Sequence, residues 1–222
     1  MMQIEHGGAL DRAISRFGGR REDWIDLSTG INPEVFPLPS IHPDVWNRLP
    51  DENLLAAALD AARVYYGASA GAGIAAAPGT QALIQIMPDL TDRGEVAIVG
   101  PTYQEHQSSF ERAGWTVTSC ADVSGIPHSA KVAVIVNPNN PDGRIVAKDT
   151  LIALAGTLRA RGGFLIVDEA FADPHPETSI AAQCGRDDLI VLKSFGKFFG
   201  LAGLRLGFAL TSPPLAAKLT ER

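Results

Sequence analysis

Lys197 stands in the segment Ser194-Phe195-Gly196-Lys197-Phe198-Phe199-Gly200-Leu201-Ala202-Gly203-Leu204-Arg205-Leu206-Gly207, directly after a short apolar run. An ammonium group resists removal from water, so a lysine in apolar, glycine-rich surroundings is pushed towards its neutral form. A neutral amine is a nucleophile towards carbonyl carbon. The glycines allow a bound group to approach the backbone closely. Ser194 adds a hydroxyl, and Arg205 adds a planar fork suited to phosphate. The chemistry on offer is covalent capture of a carbonyl beside an anion site.

Three other stretches offer complementary groups. Phe164-Leu165-Ile166-Val167-Asp168-Glu169-Ala170-Phe171 places two acids at the end of an apolar run. The carboxyl ends of parallel strands are where α/β sheets bind ligands; taken alone, the acids also read as caps for the next element. Val136-Asn137-Pro138-Asn139-Asn140-Pro141-Asp142-Gly143 is, by composition, a turn. Pro78-Gly79-Thr80-Gln81 lies where a strand gives way to a helix. Free N–H groups and the helix dipole favour an anion there, although Thr80 could equally be a plain N-cap.

The elements that carry these groups alternate along the chain. Leu54, Leu55, Leu59, Ala62 and Val64 recur at near-helical spacing, with Gly67 as a stop. Ile74–Ala77 is a short apolar run, and a helical pattern follows from Thr80 to about Leu90. Strands are expected at Glu95–Val99, Trp115–Ser119, Lys131–Val136, Phe164–Val167, Leu189–Leu192 and Leu206–Leu210. Helices are expected at Tyr103–Ala113 and Lys148–Arg161. Continuous apolar runs mark strands buried on both faces, and the alternation predicts an α/β fold with a mostly parallel sheet flanked by helices. Residues 1–50 are irregular and rich in Gly and Pro, and read as an N-terminal arm; residues 51–222 read as one large domain.

Composition narrows the class. A formal net charge of −6 without a basic stretch argues against nucleic acid and anionic membrane as partners. No run approaches the roughly 20 apolar residues of a membrane helix, and the N-terminus lacks an apolar signal core. Cys120 and Cys184 show no metal spacing and read as reduced thiols of a cytoplasmic protein.

The lysine segment resembles the S-x-x-K-x-x-G-L-x-G-x-R signature of the aminotransferase-like, fold-type I family dependent on pyridoxal 5′-phosphate (PLP). The resemblance implies that Lys197 forms the covalent link to the cofactor, and that Ser194 and Arg205 hold its phosphate. It implies that Asp168 faces the ring nitrogen and that Asn140, the second asparagine of N-P-x-N-P-x-G, donates to the phenolic oxygen. It selects Gly79, Thr80 and Gln81 as phosphate binders and Tyr103 as the aromatic residue stacked on the ring. Lys193, the rival lysine, is out of register with the motif and is expected at a strand end, and Glu169 is expected to be structural. Phe171 stands where the family often has tyrosine, and Leu49 where many relatives have a tyrosine that reaches a neighbouring subunit's cofactor.

The arm is similar to that of one branch, the threonine-phosphate decarboxylases of cobalamin biosynthesis. The similarity rests on His6-Gly7-Gly8, Asp26–Pro33, Pro101–His106 and Asp168–Asp173. It implies substrate contacts from His6, Gly7, Gly30, Asn32 and Asn140, with Gly30 replacing an asparagine of the branch pattern; His6 alone reads as a solvated histidine near the terminus. The implied reaction is PLP-dependent decarboxylation of L-threonine O-3-phosphate to (R)-1-amino-2-propanol O-2-phosphate by a homodimer. Alternatives are an aminotransferase of the histidinol-phosphate type and a PLP-binding remnant without full activity. The resemblance also implies a C-terminal small domain, on the order of 100 residues, that this chain lacks.

Overall fold

The computed structural model describes residues 7–221. Its helices are α1 (Leu10–Phe17), α2 (Asp44–Asn47), α3 (Glu52–Tyr65), α4 (Thr80–Ile86), α5 (Gln104–Arg112), α6 (Lys148–Ala160) and α7 (Pro213–Thr220). Its strands are β1 (Gly73–Ala77), β2 (Glu95–Val99), β3 (Thr116–Cys120), β4 (Ala130–Val136), β5 (Phe164–Asp168), β6 (Leu189–Ser194) and β7 (Gly207–Thr211). They form one sheet in the order β1-β7-β6-β5-β4-β2-β3. Pairing is parallel from β6 across to β3, and β7 runs antiparallel to both β6 and β1.

The strands are apolar throughout because both faces of the sheet are covered. Ala133 and Ile135 of β4, Leu165 and Val167 of β5, and Leu189 and Val191 of β6 pack with Leu151, Ala155 and Leu158 of α6. The alternate residues Val132, Val134, Ile166, Ile190 and Leu192 pack on the other face with Leu83 and Ile84 of α4, Phe110 of α5 and Leu215 of α7. The fold is therefore a three-layer α/β sandwich with a mostly parallel sheet. Parallel strands end on one edge, and the antiparallel β7 begins there, so the loops after β1, β2, β4, β5 and β6 meet the loop before β7.

Three local differences have clear causes. The segment 7–50 is not wholly irregular, since it contains α1 and α2, but neither helix buries a side chain. Asp51 caps α3 by accepting from the Leu54 N–H at 3.0 Å, yet Leu54, Leu55 and Val64 are exposed and only Ala62 of that helix is buried. Helix α7 was not expected. Its start follows the rule that serine caps and proline opens a helix: Ser212 accepts from Leu215 N–H, and prolines occupy the first two positions. No described helix is long and apolar enough to cross a membrane.

Candidate active site

Asp168 is the last residue of β5 and is buried. Its Oδ2 lies 2.9 Å from Nε2 of His106, which is itself fully buried on α5. Its Oδ1 accepts from the Ala170 N–H at 3.1 Å. A buried carboxylate is stable only with hydrogen-bond partners, and these two also fix its direction. In the sequence His106 stands out only within the string Pro101–His106. The available signal was its place three residues after Tyr103, on the same helical face.

Lys197 follows β6 on the loop between Ser194 and Gly207. Desolvation by burial holds its amine below the usual lysine value; Asp168 opposes this and Arg205 reinforces it. The backbone around it is tied to the arm: Asn32 N–H donates to the Lys197 carbonyl at 3.0 Å, and Asn32 Nδ2 donates to the Phe198 carbonyl at 2.9 Å. Phe36 N–H donates to the Phe199 carbonyl at 2.8 Å, and the two rings meet edge to face.

Arg205 adopts a left-handed backbone, φ 52°, the one such non-glycine residue among those described. Backbone in this region is uncommon for a side chain with a Cβ and tends to mark functional turns. Its guanidinium lies against Gly79, where an added Cβ would sit 2.8 Å from Arg205 Nη2. Gly79 has φ 83° and occupies the N-cap of α4, so Thr80 is the first helical residue rather than the cap. An added Cβ at Gly207 would lie 2.4 Å from the Thr80 nitrogen, which is why β7 must start with glycine there.

Tyr103 donates to Gln81 Oε1 at 3.1 Å, and Gln81 Nε2 donates to the buried Glu105 at 2.6 Å. Burial, with Glu105 and Asp168 nearby, raises the Tyr103 phenol above its ordinary value against a smaller opposing effect of Arg205. In the Asn-Pro run the three asparagines divide the work: Asn137 is buried and exchanges hydrogen bonds with the Val146 backbone. Asn139 is buried and bonded to Pro101, Thr102 and Asp142, leaving Asn140 exposed at the cleft.

The geometry brings together Gly79, Thr80, Gln81, Tyr103, Asn140, Asp168, Ser194, Lys197 and Arg205: all nine line a single cleft. The expected substrate contacts separate differently. Asn32 commits its amide to Phe198 and to the Glu34 N–H, which donates to its Oδ1 at 3.0 Å. Gly30 faces Phe171. Gly7 is exposed beside Ser28, and His6 lies outside the described residues.

Lys193 lies at the end of β6, as expected, and is buried. Its Nζ pairs with Glu169 Oε2 at 2.5 Å and donates to Ser179 Oγ at 3.1 Å, on the opposite sheet face from Ser194. Glu169 also accepts from the Ile180 N–H at 2.8 Å and so pins the loop after β5.

A partly buried amine, a buried carboxylate and a guanidinium meet at the carboxyl edge of a mostly parallel sheet, in a fold shared with enzymes that work on amines. The chain belongs to the aminotransferase class I and II family, whose profile matches residues 41–222. It is 46% identical over 220 residues to the threonine-phosphate decarboxylase of Sinorhizobium sp., covering 98% of this chain and 66% of that protein. It is 46% identical over 223 residues to the threonine-phosphate decarboxylase of Pseudomonas aeruginosa, covering 99% of this chain and 65% of that protein. The chain thus spans about two thirds of the length of these curated relatives. Among solved structures it resembles the histidinol-phosphate aminotransferase of Sinorhizobium meliloti in complex with pyridoxal-5′-phosphate, with a TM-score of 0.67 at 21% identity, covering 81% of this chain and 52% of that one. That likeness places the fold with the fold-type I large domains.

Proposed function

We propose that this chain binds PLP through Lys197 and that the whole protein decarboxylates L-threonine O-3-phosphate. The observation that carries the proposal is the convergence of Asp168, at the end of β5, with Lys197 and Arg205, from the β6–β7 loop, on one cleft. The residues present suit this cofactor: an amine in partly dry surroundings for its aldehyde, a buried carboxylate for its ring nitrogen, and a guanidinium with an adjoining helix start for its phosphate. When bound, PLP supplies an electron sink that accepts the electron pair released as a bond to the substrate α-carbon breaks.

The roles of the residues follow from their chemistry. Lys197 Nζ holds the cofactor covalently and carries a proton to or from the substrate α-carbon. Asp168 holds the proton on the ring nitrogen, and His106 keeps Asp168 Oδ2 aimed. Arg205, Ser194, Thr80 and the backbone at Gly79 bind the phosphate, with Gln81 supporting that corner through Tyr103. The Tyr103 ring covers one face of the cofactor, and Asn140 donates to its phenolic oxygen. Asn32 acts through the lysine loop, and Gly30 and Gly7 shape the adjoining wall.

Reaction choice depends on orientation. The bond that breaks is the one aligned with the electron sink, so a decarboxylase must anchor its substrate away from the α-carboxylate. A substrate phosphate is such an anchor, and its binding energy fixes the geometry at the α-carbon. The two relatives at 46% identity support this reading over an aminotransferase. We assign residues 1–50 as the arm and 51–222 as the cofactor domain. A homodimer accounts for the exposed apolar side chains Ile25, Leu27, Trp46 and Leu49 on that arm, and a cytoplasmic location suits the chemistry. The test is product analysis of the full-length protein with phosphothreonine. Carbon dioxide with aminopropanol phosphate is expected; keto acid without carbon dioxide would establish the aminotransferase instead.

A further inference from the structure

Gly30 and Phe171 are remote in sequence and touch in the fold. A Cβ added to Gly30 would lie 2.7 Å from Cε1 and 3.0 Å from Cζ of Phe171, and its third neighbour, Cδ1, belongs to the same ring. Gly30 is not among the glycines with positive φ. A side chain at position 30 would therefore displace the ring rather than strain the backbone. The Phe171 ring also faces the lysine: Lys197 Nζ lies 5.8 Å from the ring centroid, and both residues line the cleft. Two residues beyond Gly30, Asn32 is bonded to the lysine loop through the carbonyls of Lys197 and Phe198. The ring thus sits between the arm and the lysine loop.

We propose that Gly30 and Phe171 are a matched pair: the missing side chain at position 30 seats the Phe171 ring against Lys197, where Phe171 acts as a positioning residue that keeps water from the amine. This inference rests on the reading of Lys197 as the reactive lysine. Two effects of the ring oppose each other. A ring face attracts an ammonium, typically by less than about 1 kcal/mol at partly exposed sites, whereas exclusion of water favours the neutral amine. Burial is the largest influence on this lysine, and the amine lies below its ordinary value. A phenyl ring also offers no hydroxyl to hydrogen-bond the amine, so its contribution is steric and dielectric.

The pair is tested on the full-length protein stripped of cofactor. Acylation of Lys197 by acetic anhydride is followed against pH by peptide mass spectrometry, for wild type, Phe171→Ala, Gly30→Ala and the double variant. Phe171→Ala admits water, raises the apparent pKa of Lys197 and slows its acylation at pH 8 several-fold; each unit is worth about tenfold below the pKa. Gly30→Ala displaces the ring and shifts the Lys197 profile in the wild-type background, but has little effect once Phe171 is alanine, as coupling between contacting residues requires. Phe171→Leu provides the same test with less loss of packing, and moves the profile the same way by a smaller amount. An unchanged Lys197 profile in both Phe171 variants, or an equal effect of Gly30→Ala in both backgrounds, would overturn the proposal. Borohydride reduction of the chain with PLP separately tests the parent reading. An adduct on another residue would remove the cofactor assignment and leave the acylation result standing.

Discussion

Replacing Lys193 with methionine separates a structural lysine from the reactive one. Lys193 is 3% exposed and Glu169 fully buried, and their charged atoms are 2.5 Å apart. Methionine keeps most of the side chain's bulk and removes only the cation. Glu169 would then be a buried carboxylate with two remaining donors, the Ser179 hydroxyl and the Ile180 N–H. Losing one partner of a buried pair costs about 3–5 kcal/mol, and these two donors place the expected loss at the lower end, about 3 kcal/mol. For a chain of this size that corresponds to a fall in Tm of roughly 6–12 °C. Urea unfolding monitored by tryptophan fluorescence, with calorimetry, measures it. Lys193→Met combined with Glu169→Leu removes both charges, and most of the loss is expected to return. Borohydride-reduced PLP remains on Lys197 in both of these variants, which have no amine at position 193. A Lys193→Met protein within about 1 kcal/mol of wild type, or an adduct on Lys193 in the wild type, would refute the reasoning.

Other expectations follow from the same geometry. Lys197→Ala abolishes the borohydride-fixed adduct and nearly all turnover, measured by peptide mapping and carbon dioxide release from the full-length protein. Asp168→Asn retains some cofactor but loses most turnover, because an amide cannot hold the ring proton; activity within about twofold of wild type, roughly 0.4 kcal/mol in barrier, would remove Asp168 from that role. Burial pushes both the Cys120 and Cys184 thiols above their ordinary values, so neither reacts rapidly with a disulfide reagent at pH 8 until the chain is unfolded. A fast native thiol would contradict the packing around them.

The sheet was legible in the sequence because continuous apolar runs are what two covered faces require. The expected strands lie within a residue or two of β2–β7, and the run Ile74–Ala77 is β1 less its first residue. The motif residues gathered as expected, since they sit at strand ends and the topology brings those ends to one edge. Long-range pairings were less legible. Nothing local marks Lys193 as buried, because its partner lies 24 positions earlier on another strand's loop. His106 lay in a recognised string, but its contact with Asp168 spans 62 positions. Gly30 and Phe171 each stood out as departures from the family pattern, and only the fold shows that they meet. The apolar spacing of α3 correctly announced a helix; its exposed leucines show that spacing does not say what, if anything, covers that face.

Two pairs of adjacent residues show how the sheet divides chemistry from support. Asp168 precedes Glu169, and Lys193 precedes Ser194. Successive side chains on a strand point to opposite faces. Asp168 and Ser194 face the cleft beside α4 and α5, whereas Glu169 and Lys193 meet on the other face above the core that includes α6. The register that places Asp168 opposite Leu192 and Ser194 opposite Gly207 maintains this division. A slip of one residue in β6 would turn Lys193 into the cleft and Ser194 away from it. Glu169 would then be left buried without its cation, at the several-kcal/mol cost expected for Lys193→Met. The Lys193–Glu169 pair therefore does more than fill space: it penalises the one misregistration that would present the wrong lysine to the site. On this account, Glu169→Leu with Lys193 retained removes that penalty, and part of the borohydride-fixed PLP should move from Lys197 to Lys193; peptide mapping measures it, and an adduct confined to Lys197 would refute this role of the pair.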